Sequence, residues 1–219
     1  MSKLVYLYPR WLRIWHWTNA ALFVILLVTG TSMHFATPGG PQMDFRSSRL
    51  LHNASGILLT AFYLVFLIGN FVTRNGRYYR PQGDDLTMGW IRQARYYAWG
   101  IFRGEPHPFE HSEARKFNPL QKITYLKVMY VLFPLLAVTG WLLFFPERLP
   151  AQLAGTTGVG FYALAHTALG YAATLFMLIH MYLGTTGESV GTLFRAMLTG
   201  YHPTHEAAAE DAKPGAGAA

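Results

Sequence analysis

Nine histidines and no cysteine set the terms for any metal chemistry in this 219-residue chain. Without thiolates it forms no disulfide, no cysteine-bound zinc site and no iron–sulfur cluster of its own. Four histidines, His16, His52, His166 and His180, fall in or at the ends of long apolar stretches, where ionisable side chains are rare and mark function. A fifth, His34, closes the first stretch. His166 and His180 are 14 residues apart. On an α-helix this is four turns less 40°, so both leave much the same face, about 21 Å apart along the axis. One helix thus offers an imidazole near each of its ends.

The elements that must carry these residues are membrane spans. The chain is 52% hydrophobic and 13% charged, against about a quarter charged in soluble domains. A bilayer core takes roughly 20 apolar residues in a helix. Charge-poor windows of that size predict spans at about 14–36, 50–73, 123–146 and 159–185. The first is too long for a signal peptide and lacks an A-x-A cleavage site after it, so it is expected to remain as a span. Fifteen of the eighteen Lys and Arg residues lie before span one, between spans two and three, or after span four. By the positive-inside rule, both termini and the long middle loop are expected in the cytoplasm. The net charge of +7 is then a topology signal, and no nucleic-acid partner is expected.

With that orientation the histidines pair by depth. His16 and His180 fall at the cytoplasmic end, His52 and His166 at the outer end. Two bis-histidine sites, one above the other, is the arrangement for two b-type haems. Four residues after each histidine stands a small residue: Ala20, Gly56, Gly170 and Gly184. Position i+4 lies one turn along the same face, and a small side chain there leaves room for a flat macrocycle. Small residues also serve close helix contact in membranes. His34 shares the face of His16 and is the rival ligand for the outer site. A copper or zinc site fits less well, because neither cysteine nor a carboxylate at span depth accompanies these histidines. His107 and His111, with Glu105, Glu110 and Glu113 nearby, form a lesser metal candidate. His202 and His205 are expected to be solvated.

Several motifs resemble the di-haem cytochrome b membrane subunits of formate dehydrogenase (gamma), thiosulfate reductase and nickel–iron hydrogenase, with which bacterial cytochrome b561 shares its four helices. They are Arg13-Ile14-Trp15-His16-Trp17, Leu51-His52 with Gly56, and His166-x3-Gly170 followed by Leu178-Ile179-His180-Met181-Tyr182. Lys116-Phe117-Asn118-Pro119-Leu120-Gln121-Lys122 is similar to the formate dehydrogenase gamma segment before span three. The resemblance covers about Arg10 to Gly200. It implies haem iron ligated by His16/His180 and His52/His166. It also implies a quinone, menaquinone or ubiquinone, at the cytoplasmic surface near Asn118, with Gln121 and Lys116 as further contacts. Leu120 departs from the glycine of the formate dehydrogenase pattern. Asn118-Pro119 also reads as a plain helix start, an N-cap followed by proline.

The expected fold is an all-α four-transmembrane-helix bundle over residues 1–205, with an interfacial helix within Leu86–Gly104 and a disordered tail at 206–219. The expected function is an electron conduit between periplasmic catalytic and iron–sulfur subunits and the quinone pool. Two alternatives are a self-contained cytochrome b561-type oxidoreductase passing electrons from a small donor to quinone, and a haem-free anchor or transporter.

Overall fold

The computed structural model describes residues 3–37, 39–40, 43–73, 75–109, 116–187 and 189–204. Along the chain it forms β1 (Lys3–Tyr6), α1 (Arg10–His34), α2 (Phe45–Val72), α3 (Gly89–Ala98), α4 (Pro119–Phe144), α5 (Gly158–Gly184), α6 (Thr192–Thr199) and β2 (Tyr201–Thr204). Among the described residues, α1, α2, α4 and α5 are the four helices long and apolar enough to cross a membrane. The protein is an all-α membrane protein built on four such helices. In lipid a helix satisfies its backbone groups internally, and the surplus of Leu, Val, Ile and Phe then faces the acyl chains. On α2, Leu64, Ile68 and Phe71 are 53%, 63% and 88% exposed and recur at helical spacing as one lipid-facing stripe. The opposite side buries small polar residues, Ser48, Ser55 and Asn70.

Three spans begin earlier than the charge-free windows, because helix starts are set by capping groups and not by charge. Asp44 caps α2: its Oδ1 accepts from the backbone N–H of Ser47 at 3.0 Å, which satisfies one of the free N–H groups of the first turn. Ser47 also holds the Asp44 carboxyl below the usual carboxylate range. Within α4, residues Val128–Leu132 form a π turn. In that register the Met129 carbonyl would pair with residue 134, which is proline and has no N–H. The Tyr63 hydroxyl donates to it instead, at 2.8 Å.

The chain divides into two compact units. One comprises Ile14–Gly76 and Tyr125–Tyr182. Here Trp15 Nε1 of α1 donates to the Phe62 carbonyl of α2 at 2.8 Å, and the Trp15 ring stacks on Phe66 with centroids 4.5 Å apart. This unit contains all four intramembrane histidines.

The other unit takes the chain up to Arg13, Arg77–Thr124 and the chain from Leu183. Strands β1 and β2 pair antiparallel, from Lys3 opposite Thr204 to Tyr6 opposite Tyr201. Gly200 starts the return at φ +92°, and a Cβ there would stand 2.6 Å from the Tyr6 ring, so only glycine fits. Lys122 Nζ donates to Asp85 Oδ2 at 2.7 Å, with both side chains buried. The helix expected within Leu86–Gly104 is confined to Gly89–Ala98, with 3-10 turns at Gly83–Leu86 and Gly100–Arg103.

Candidate functional site

His16 on α1 and His180 on α5 face each other with ring centroids 6.0 Å apart. Phe176, one turn before His180, stacks on its ring at 5.7 Å. Trp17 meets the His16 ring edge-on at 5.2 Å. The Nδ1 atom of His16 is buried without a hydrogen-bond partner among the described residues.

His52 on α2 and His166 on α5 form the second pair, with centroids 6.2 Å apart. Each is held by a threonine of a neighbouring helix. Thr29 Oγ1 of α1 lies 3.0 Å from His52 Nδ1, and Thr139 Oγ1 of α4 lies 2.9 Å from His166 Nδ1. The pair borders an apolar cavity of about 440 Å³ whose lining includes Gly30, Gly56, Phe133, Gly140 and Gly170. A Cβ added at Gly56 or Gly170 would meet nothing within 4 Å, so these glycines front open space, as their i+4 spacing from His52 and His166 suggested.

The geometry fits a shared metal centre. A metal–imidazole bond is about 2 Å and a ring nitrogen lies about 1 Å from its ring centre. Two imidazoles on opposite sides of one metal therefore have centroids about 6 Å apart. Both histidine pairs meet that requirement, and the glycines leave space for a planar ligand around the outer one. Among the described residues no group of three or more His, Asp or Glu could hold a bare metal ion. Paired imidazoles in an apolar setting are the donor set of a haem.

Among the remaining histidines, His34 also lines the cavity beside His52 and His166. His34 is exposed at the end of α1, with Phe35 at 4.7 Å and Tyr171 at 6.1 Å between ring centroids. His107 packs on Tyr96 at 4.8 Å, and its Nδ1 accepts from the Phe109 N–H at 3.3 Å. His111, Glu110 and Glu113 lie outside the described residues, as does His205. The expectation of a solvated His202 is corrected: it is only 5% exposed, in β2 opposite Val5. Gly184 differs from Gly56 and Gly170, since a Cβ there would stand 3.0 Å from the Phe194 ring.

In the second unit, Asn118 and Gln121 form a reciprocal cap at the start of α4. Asn118 Oδ1 accepts from the Gln121 N–H at 2.9 Å, and Gln121 Oε1 accepts from the Asn118 N–H at 3.0 Å. This is the capping-box arrangement. The spare Asn118 Nδ2 donates to the Tyr97 hydroxyl at 3.2 Å. Lys116 is buried, with its Nζ 4.7 Å from the ring centre of Tyr8 and 5.3 Å from that of Tyr78. Burial pushes the Lys116 amine down to about 8 and the Tyr8 phenol up to about 12.

The model of the family described as "Prokaryotic cytochrome b561" matches residues 7–200. The chain belongs to the prokaryotic cytochrome b561 family. It is similar to "Putative cytochrome YdhU" of Escherichia coli (strain K12), with 40% identity over 203 residues, 90% of this chain and 74% of that protein. It is also similar to the "Probable Ni/Fe-hydrogenase B-type cytochrome subunit" of Rhodobacter capsulatus, with 24% identity covering 90% of this chain and 80% of that one. The protein of the same name from Rhizobium leguminosarum bv. viciae is 28% identical, over 64% of this chain and 59% of its own length. As a cytochrome b561-type membrane protein, the chain serves electron transport and takes haem b.

Sequence reasoning overlooked Thr29, Thr139 and Tyr97. A signal for the first two was present: Val28-Thr29-Gly30 in α1 recurs as Val138-Thr139-Gly140 in α4.

Proposed function

We propose that this cytochrome carries two haems b and links a periplasmic respiratory oxidoreductase to the quinone pool of the bacterial inner membrane. The observation that supports it most directly is the spacing of the two histidine pairs, 6.0 Å and 6.2 Å between ring centroids. His16 and His180 hold the inner group, His52 and His166 the outer one. Bound haem b supplies reversible one-electron transfer. The chain's own histidines would hold the iron of each group, and the apolar lining of the cavity beside the outer pair would exclude water.

The partner is an oxidoreductase of the formate dehydrogenase, thiosulfate reductase or hydrogenase type, with catalytic and iron–sulfur subunits on the outer face. The relatives named as Ni/Fe-hydrogenase subunits support the hydrogenase type among these. Both termini and the loop between α2 and α4 face the cytoplasm, and α3 lies in the interface with Trp90 and Ile91, both exposed, toward lipid.

Quinone, menaquinone or ubiquinone, exchanges electrons on that cytoplasmic side at the segment Lys116–Gln121. Asn118 acts there chiefly by orienting Tyr97: its amide donates to the phenolic oxygen, so the Tyr97 hydroxyl keeps its own proton for a quinone carbonyl. Protonated Lys116 offsets negative charge that develops on the reduced head group.

The test is the purified protein. Pyridine haemochrome should give about two haems b per chain, from four axial ligands taken two at a time. Dithionite-reduced protein should reoxidise on addition of a quinone analogue. One haem per chain, or a high-spin resting spectrum, overturns the di-haem assignment; two haems with no quinone response overturn the quinone link.

A further inference from the structure

We propose that Thr29 and Thr139 are positioning residues that fix the protonated nitrogen of both outer histidines and strengthen them as electron donors to iron. The proposal rests on the reading of His52 and His166 as the ligands of an outer haem.

Proton accounting decides the direction of these contacts. A threonine hydroxyl has one hydrogen and two lone pairs. Thr29 Oγ1 lies 2.7 Å from the Ile25 carbonyl, and Thr139 Oγ1 lies 2.8 Å from the Leu135 carbonyl. Each carbonyl stands four residues earlier on the same helix and takes the hydroxyl hydrogen. Toward the histidine, each oxygen is left only as an acceptor. Nδ1 of His52, at 3.0 Å, and Nδ1 of His166, at 2.9 Å, must therefore carry the ring hydrogen. Nε2 of each ring keeps a free lone pair, which is the form that binds a metal.

The next residue completes the clamp. A Cβ on Gly30 would lie 3.2 Å from His52 Cε1, and a Cβ on Gly140 would lie 3.2 Å from His166 Cε1. The bare backbone lets each ring edge settle against the helix that carries its threonine. The same Val-Thr-Gly device thus acts from α1 on α2 and from α4 on α5. Thr29 is 1% and Thr139 8% exposed, so water does not compete for the contacts. His16 has no counterpart, since its buried Nδ1 has no partner among the described residues.

An N–H donated to an oxygen raises the basicity of the ring nitrogen that faces the metal. A more basic ligand favours ferric over ferrous iron and lowers the reduction potential. Applied to both outer ligands, but not to His16, the device poises the outer centre to give up an electron and the inner centre to receive it. It biases transfer inward, from an outside donor toward quinone.

The test uses Thr29→Val and Thr139→Val in the full-length protein, with Thr29→Ser and Thr139→Ser beside them. Valine keeps the shape and removes the hydroxyl acceptor, while serine keeps it; the Leu26 and Leu136 backbone carbonyls beside the two rings stay in place in both. Haem content is counted first, then each midpoint is read by potentiometric titration. The outer midpoint is identified as the one absent from His166→Ala. Both Val variants should shift the outer midpoint upward and leave the inner one in place, and the Ser variants should restore the native value. Loss of the outer haem in Val but not in Ser carries the same meaning. An unmoved outer midpoint in fully loaded Val variants overturns the proposal, as does an equal change in Val and Ser. A wild-type count below two haems overturns the di-haem reading, and the proposal with it.

Discussion

The imidazoles of His16 and His180 face each other from α1 and α5 with their centroids 6.0 Å apart. The distance is too long for a direct hydrogen bond between the rings and suits one metal between them. If these are ligands, each haem should be lost separately. His180→Ala should remove the inner haem and His166→Ala the outer, each leaving about one haem per chain by pyridine haemochrome, since each substitution breaks one of two ligand pairs. Retention of both haems in either variant contradicts the assignment.

His34 supplies the control. It lines the cavity beside the outer pair, but it is exposed at the end of α1 and its ring neighbours are Phe35 and Tyr171. His34→Ala should keep both haems and both midpoints. Loss of a haem in His34→Ala, with His52→Ala still carrying two, would transfer the outer ligand to His34.

The pairing of four histidines was legible because helical depth and topology are properties of spacing alone. What holds the rings was not. The repeated Val-Thr-Gly around Thr29 and Thr139 is visible in the sequence, but its meaning is not, since only three-dimensional packing brings His52 and His166 to these threonines. Gly184 shows the opposite limit. Its spacing from His180 matches that of Gly56 from His52, yet a Cβ on Gly184 would meet the Phe194 ring at 3.0 Å, whereas one on Gly56 would meet nothing within 4 Å. The buried Asp85–Lys122 pair left no local signal, since its residues are 37 apart. Asn118-Pro119 is readable as a helix start, whereas the return bond from Gln121 to the Asn118 N–H shows only in the structure.

The distribution of Lys and Arg, fifteen of eighteen in the segments assigned to one side, predicts the membrane sidedness. Reporter fusions near Gly83 and at Ala219 should score cytoplasmic, and a fusion near Gly155 periplasmic. The reverse pattern would move the quinone chemistry to the outer face.

Lys116 should give the quinone reaction a pH dependence. Burial lowers its amine to about 8, so below that pH the side chain is a cation and above it neutral. Tyr8, pushed up to about 12, stays neutral across the same window. If the cation offsets charge on the reduced quinone, quinone-linked turnover should fall as pH rises through about 8. In Lys116→Met this inflection should disappear and turnover should be lower on the acid side. An unchanged profile in a haem-loaded Lys116→Met protein excludes the role.

Asn118 has two duties that substitution can separate. Its Oδ1 caps α4, and its Nδ2 holds the Tyr97 hydroxyl. Removing a cap costs about 1 kcal/mol and should lower the yield of folded cytochrome without altering turnover per haem. Asn118→Asp tests the second duty, because aspartate caps a helix as well as asparagine does but has no N–H to donate when ionised. Tyr97 would then donate to the carboxylate, and its proton would no longer be available to a quinone carbonyl. Asn118→Asp should therefore fold with both haems, reduce normally with dithionite, and show slowed quinone-linked transfer with weakened inhibition by quinone analogues. Tyr97→Phe should reproduce that defect, since it removes the hydroxyl and leaves the Asn118–Gln121 cap intact. Normal quinone kinetics in both fully loaded variants would leave Asn118 as a helix cap only and remove Tyr97 from the quinone site.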